Sequence, residues 1–177
     1  LYNGSVVDMN TAALNTAAIA GLMKVATPEA NMVSAPILAK ERGINISTTT
    51  QEKSGVFDAY IKMTVVTDKR ERSVAGTVYS DGKPRFIQIK GITVDAEIGA
   101  HMLYSTNYDQ PGIIGLLGQT MGENGVNIAN FTLGRSARGK DAIALLYVDD
   151  AIPADVIEKL RVTGKFSQVK PLRFNVV

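Results

Sequence analysis

The sequence predicts an α+β protein: a mixed α/β domain over residues 1–97, followed by a ferredoxin-like βαββαβ domain over residues 98–177. Three observations carry this expectation. Before Gly43 one segment repeats apolar residues at helical spacing and a second carries helix start and stop signals. Between residues 44 and 94 the pattern changes to β-rich segments, several of which alternate apolar with polar side chains. From Met102 onward, strand, helix, strand, strand, helix and strand signals follow one another within about 75 residues. That is the order of a split βαβ unit, an antiparallel four-stranded sheet with both helices on one face.

The elements follow in order. "LYNGSV" reads as the end of a strand with an Asn-Gly turn. Thr11–Ala26 reads as a helix with Leu14, Ala18, Leu22 and Val25 on one stripe, Thr11 as cap and Pro28 as its end. Ser34–Arg42 is a second helix, capped by Ser34, with Pro36 in its first turn and Gly43 closing it. "INISTTT", "FDAYIKMTVVT", "RSVAGTVYS" and "RFIQIKGITV" read as β segments, and "SDGKP" at 80–84 as a hairpin turn between two of them. The short connector Glu97–Gly99 argues for packed domains rather than a flexible linkage. Met102–Tyr108 is then a strand, Gly112–Glu123 a helix and Val126–Ser136 a strand. After the "ARGKD" turn come the strand Ala142–Asp149, the helix Pro153–Arg161 and a last strand, Gln168–Phe174.

Composition removes several function classes. A net charge of +2, with no interleaving of basic and aromatic residues, gives no footprint for nucleic acid. The chain has no cysteine, so disulfides, thiolate metal sites and a cysteine nucleophile are excluded, which fits a reducing cytoplasm. Asn15 and Lys24 interrupt the longest apolar-leaning run, so it reads as a core helix and not a membrane span. The start at Leu1, without a basic leader or cleavage site, reads as a cut inside a longer protein.

Catalytic constellations are missing from the pattern. His101 is the single histidine, with no base or nucleophile beside it in sequence. No acidic run has metal-ligand spacing. The glycines of "PGIIGLLGQTMGENG" match neither G-x-G-x-x-G nor G-K-[ST], so they make no phosphate loop. Gly115, Gly118 and Gly122 instead share a helix stripe, which suits close approach of another backbone. The segment by itself is expected to be non-catalytic and to hold no cofactor.

The stretch "NYDQPGIIGLL" can form an amphoteric socket. Gly112, Ile113 and Ile114 offer free amides at a helix start, which suit a carboxylate. Asp109 adds a negative charge and Asn107 a donor and an acceptor, while Asn127 opens the next strand, expected to lie close in the sheet, where it could face the socket or a neighbouring copy. A small amino acid carries the matching charges. The same residues could equally serve the fold alone, with Asp109 capping the helix and Asn127 in a turn. A second cluster, Lys69, Arg70, Arg72, Arg85 and Lys90, could bind an anion such as a phosphorylated metabolite, or form a solvated basic surface; Asp95 and Glu97 lie nearby.

Residues 102–174 resemble an ACT domain, a small-molecule-sensing module of amino-acid metabolism, through "YDQPGIIGLLGQTMGENGVNIAN". "ALNTAAIAGLM", "VSAPILAKERGI" and "VAGTVYSDGKPRFIQIKG" are similar to the intervening domain of long-form D-3-phosphoglycerate dehydrogenases, and "KPLRF" to their tail. The resemblance implies an NAD-dependent parent enzyme at the first step of serine synthesis, with its catalytic domains before Leu1. It implies side-by-side homo-oligomerisation of ACT domains, with L-serine as feedback effector between subunits. The implied effector positions are Asn107, Asp109, Pro111, Gly112, Ile113, Ile114 and Asn127. Two alternatives stand beside it: the regulatory region of another amino-acid enzyme, such as an L-serine dehydratase, or a structural oligomerisation module without ligand.

Overall fold

The computed structural model describes residues 1–52 and 56–175, which divide into two compact units, Leu1–Met63 and Thr64–Val177. The elements are β1 (Tyr2–Gly4), a 3-10 turn (Ser5–Asp8), α1 (Thr11–Met23), α2 (Ala35–Glu41), β2 (Thr50–Gln51) and β3 (Ala59–Val66), which runs through the division. The second unit continues with β4 (Glu71–Val78), β5 (Pro84–Ile89), β6 (Ile92–Glu97), β7 (His101–Tyr108) and α3 (Ile113–Glu123). It ends with β8 (Ile128–Arg135), β9 (Asp141–Val148), α4 (Ala154–Val162) and β10 (Gln168–Arg173). The class is α+β, as the sequence predicts.

In the first unit β1 lies between β2, parallel to it, and β3, antiparallel to it. The helices α1 and α2 share a core of Ala20, Met23, Ala30, Ala35 and Ala39, edged by Ile19 and Leu38. The alanines leave little side chain between the two backbones, so the contact is close and apolar. Several local expectations are corrected. Asn10, not Thr11, caps α1, its side chain accepting from the Ala13 amide. The helix ends at Met23, and Val25 is 86% exposed, so the buried face is Ala20–Met23 rather than the Leu14–Val25 stripe. Of "INISTTT" only Thr50 enters a strand, and Ile44 and Ile46 lie outside the buried core. Ser34 does precede α2, but its hydroxyl accepts from the Asn31 amide rather than capping the helix.

In the second unit β4, β5 and β6 form an antiparallel meander. Gly82 turns the first hairpin at φ +78°, within the expected "SDGKP". The second hairpin turns on Lys90 and Gly91, at φ +52° and +80°. Two successive left-handed residues make a turn whose twist matches that of the strands. "RFIQIKGITV" is therefore two strands, not one segment.

The strands β10, β7, β9 and β8 form an antiparallel sheet in that order, the ferredoxin-like arrangement. Both helices cover one face. Ile113, Leu117 and Met121 of α3 meet Val156, Ile157 and Leu160 of α4 over Leu103, Ala144, Leu146, Val148 and Val169. The meander covers the other face: Ile92, Val94 and Ala96 of β6 bury against Met102, Tyr104, Ile143 and Leu145. Buried on both faces, β9 reads "AIALLYV" without alternation, which is what a doubly covered strand requires. Gly134 permits the close approach of β6 to β8, since a Cβ there would collide with the Thr93 carbonyl oxygen.

Candidate functional site

The strand β7 alternates between the two buried faces. Leu103 belongs to the helix-side core, so Ser105 and Asn107 share that side. Ser105 is fully buried, and its hydroxyl has no hydrogen-bond partner. Asn107 is 5% exposed; its Nδ2 donates to the Tyr108 carbonyl at 2.6 Å, while its Oδ1 has no partner. An unpaired buried polar atom costs about 1–3 kcal/mol, and two on one strand end call for a reason.

The chain leaves β7 through Asp109, Gln110 and Pro111 and enters α3 at Gly112, whose φ of +90° only glycine adopts without strain. No side chain caps α3. Pro111, Gly112 and Ile114 are exposed, while Ile113 packs into the core. The amides of an uncapped helix start, an exposed Pro-Gly turn and a half-satisfied Asn107 thus converge at one end of the sheet.

Asp109 does not cap α3. Its Oδ2 accepts from Arg135 Nη1 at 2.8 Å and from the Gly139 amide at 3.1 Å, tying the end of β7 to the β8–β9 hairpin. The Gly139 hydrogen bond, then the Arg135 guanidinium, hold its carboxyl below the ordinary carboxylate value. Arg135 is the neighbour that sequence reasoning missed. It stands 26 positions away, and only the sheet register brings it near.

Asn127 does not join this group within one chain. Residues 102–108 and 126–136 are not adjacent strands, because β9 separates β7 from β8. Ile128 pairs with Val148, which also pairs with His101, whereas Asn107 pairs with Ala142, which also faces Arg135. Asn127 therefore lies at the opposite end of the sheet, since a helical crossover returns the chain to the end where it began. Its Nδ2 donates to Asp149 Oδ2 at 2.6 Å.

The basic residues separate as well. Arg85 and Lys90 do not share a strand: Arg85 is in β5 and Lys90 in the turn beyond it. The Arg85 guanidinium lies 3.5 Å from Asp81, 3.5 Å from Asp95 and 3.7 Å from Glu97, with Tyr79 stacked 4.7 Å away. Lys83 adds a 2.8 Å pair to Glu97. Lys69 and Arg70 occupy the β3–β4 turn, where the Arg70 carbonyl accepts from Thr67, and Arg72 is at the start of β4.

Outside their own helix, no atom of the described residues lies within 4 Å of where a Cβ would stand at Gly115, Gly118 or Gly122, so no other described backbone approaches the stripe. Among the described residues no group of His, Asp and Glu could hold a metal ion, and no helix is long and apolar enough to cross a membrane.

The fold and site define a class: an α+β chain of two units, with a ferredoxin-like sheet and polar atoms left unsatisfied at one sheet end. The family model of the D-3-phosphoglycerate dehydrogenase intervening domain matches residues 1–90. Beyond it, the chain is similar to D-3-phosphoglycerate dehydrogenase of Methanocaldococcus jannaschii, 33% identical over 164 residues, covering 91% of this chain and 30% of the relative. The Bacillus subtilis enzyme of that name is 29% identical over 160 residues, covering 90% and 30%, and the Synechocystis one 32% over 152 residues, covering 85% and 27%. The chain belongs to the D-3-phosphoglycerate dehydrogenase intervening-domain family. It spans about 30% of the length of the curated relatives it matches.

Proposed function

We propose that this chain is the regulatory C-terminal region of a D-3-phosphoglycerate dehydrogenase, in which an ACT domain binds L-serine as feedback effector between paired subunits. The observation that carries the reading is the unsatisfied Ser105 hydroxyl and Asn107 Oδ1, buried where the Asp-Gln-Pro-Gly turn enters the uncapped helix α3. Serine's carboxylate suits the helix-start amides; its ammonium and hydroxyl suit Asn107 Oδ1 and the neighbouring polar groups.

The position of Asn127 supports pairing. Strand β8 ends the sheet. If two β8 edges pair antiparallel, Asn127 of the partner subunit comes to the Arg135 end, beside Asp109 and the α3 turn. The other edge, β10, carries Lys170 and Pro171, which discourage strand addition. The bare glycine stripe of α3 gives a second copy room to approach. In this reading the NAD-dependent catalysis and the catalytic domains belong to the longer parent protein, acting in the cytoplasm on D-3-phosphoglycerate. Serine acts through a coupling free energy, favouring one arrangement of the paired subunits over another.

One observation favours the ligand-free pairing module: Asp109 is already neutralised by Arg135, so it offers the ammonium less charge. Calorimetry separates the two. L-serine is expected to bind at millimolar concentrations or below, with D-serine and glycine weaker. Asn107→Ala and Asn127→Ala should each abolish binding, and an equimolar mixture of the two variants should restore about half the sites in mixed dimers, because each effector would touch both subunits. Folded protein that takes up no L-serine leaves the pairing module standing.

A further inference from the structure

Asn107 of β7, Ala142 of β9 and Arg135 of β8 stand in one row across the four-stranded sheet. Directly opposed residues share a face. Leu103, Leu146 and Phe131 form a parallel row of the same alternation, and all three belong to the helix-side core. Arg135 therefore rises on the helix-covered face, at the end of the sheet where the chain turns into α3. Between it and Asn107 the row holds only the methyl group of Ala142.

The clasp on Asp109 is one-sided. Both of its donors, Arg135 Nη1 and the Gly139 amide, reach Oδ2. Among the described residues no hydrogen bond reaches Oδ1, although both oxygens of a carboxylate accept. The guanidinium is also only partly used. It carries five N–H donors, and one, on Nη1, goes to Asp109. Arg161 shows the closed alternative: beside its carboxylate partner Glu158, its Nε and Nη2 donate to the Val169 carbonyl. Arg135 makes no such backbone contact among the described residues. Neither member of the Arg135–Asp109 pair is sealed, since their side chains are 58% and 27% exposed.

We infer that Arg135 and Asp109 of one subunit together hold the two charged ends of the effector, the guanidinium taking its α-carboxylate and Asp109 Oδ1 its ammonium. This rests on the serine reading and adds to it a further binding residue and a charge rule. The carboxylate has two oxygens, so the α3 amides and the guanidinium share it, and the planar fork of arginine suits that geometry. The Arg135–Asp109 pair is neutral as a whole, which makes its match a molecule that is also neutral as a whole and carries both charges. An amine without a carboxylate leaves the guanidinium unanswered, and an acid without an amine leaves Oδ1 unanswered.

The test is calorimetric titration of the chain and three variants with L-serine, with thermal midpoints recorded alongside. Arg135→Met is expected to weaken L-serine binding about tenfold or more, as loss of a charge-assisted hydrogen bond does. Arg135→Gln keeps an N–H for Asp109 but no charge, whereas Arg135→Lys keeps the charge. Lys is therefore expected to retain more affinity than Gln; a residue that only held Asp109 in place would rank them equal or in reverse. In the parent chain, ethanolamine, which is serine without its carboxylate, and 3-hydroxypropionate, which is serine without its ammonium, should each compete at least tenfold less well than L-serine. Binding of L-serine by Arg135→Met as tight as the parent's, or tighter, overturns the inference and leaves the serine reading standing, as does Gln matching Lys. A parent chain that takes up no L-serine overturns both.

Discussion

Asp109 shows how sequence spacing can mislead about a residue's neighbours. Sequence spacing offers it as a helix cap or a ligand group, but its carboxylate goes to Arg135 and the Gly139 amide. That depresses its pKa, so ionised Asp109 stabilises the fold above the ordinary value of 3.8, and the contribution is lost as pH falls through the lower folded value. Asp109→Asn is expected to lower the thermal midpoint at pH 7 and to erase that part of the acid-side loss below pH 3.8, as read from melting curves across pH. A parallel fall of both proteins across the acid range would reject the linkage. Nothing local in the sequence announces Arg135, because the pair depends on the register of two hairpins. The Pro-Gly turn into α3 was legible, since Pro-Gly before a helical run has a short-range signature.

Individual elements were readable where one face meets one core. Helix α2 announced itself through Ser34, Pro36 and Gly43, and the last six elements through their alternating signals. The Lys90–Gly91 hairpin was not legible, because a lysine at positive φ carries no sequence mark and the flanking strands read as one run. The expectation that residues 102–108 and 126–136 lie close treats strands joined by a helix as neighbours, whereas the sheet inserts β9 between them; of the two places open to Asn127, that leaves a neighbouring copy. Within the chain, the close approach lies elsewhere than the α3 stripe. The α3 glycines face open space, whereas Gly134 carries the tight contact, with β6. Gly134→Ala is therefore expected to destabilise by about 1–3 kcal/mol, as overpacking does, while Gly118→Ala should be neutral or stabilising through helix propensity. Denaturant unfolding of the two variants checks this; equal midpoints would show that β6 yields freely.

For the whole molecule, the proposed pairing raises the question of which surface a second copy would use. The sheet has both faces covered, by α3 and α4 on one side and the meander on the other. That leaves its edges, and of these β8 lacks the Lys-Pro pair of β10. Leu133 of β8 is 45% exposed. If the chain pairs and binds serine as proposed, Leu133→Lys is expected to shift sedimentation from dimer to monomer with little change in thermal midpoint and to remove serine binding with it. A variant that stays dimeric would move the interface away from β8.

The crossover that sends Asn127 to the far end of the sheet has a further consequence for dose response. Were a pocket to borrow one wall from each chain, a dimer would contain two such pockets, and dilution would dismantle both. Effector potency would then fall with enzyme concentration even at constant temperature and salt, whereas a pocket complete within one chain would ignore dilution.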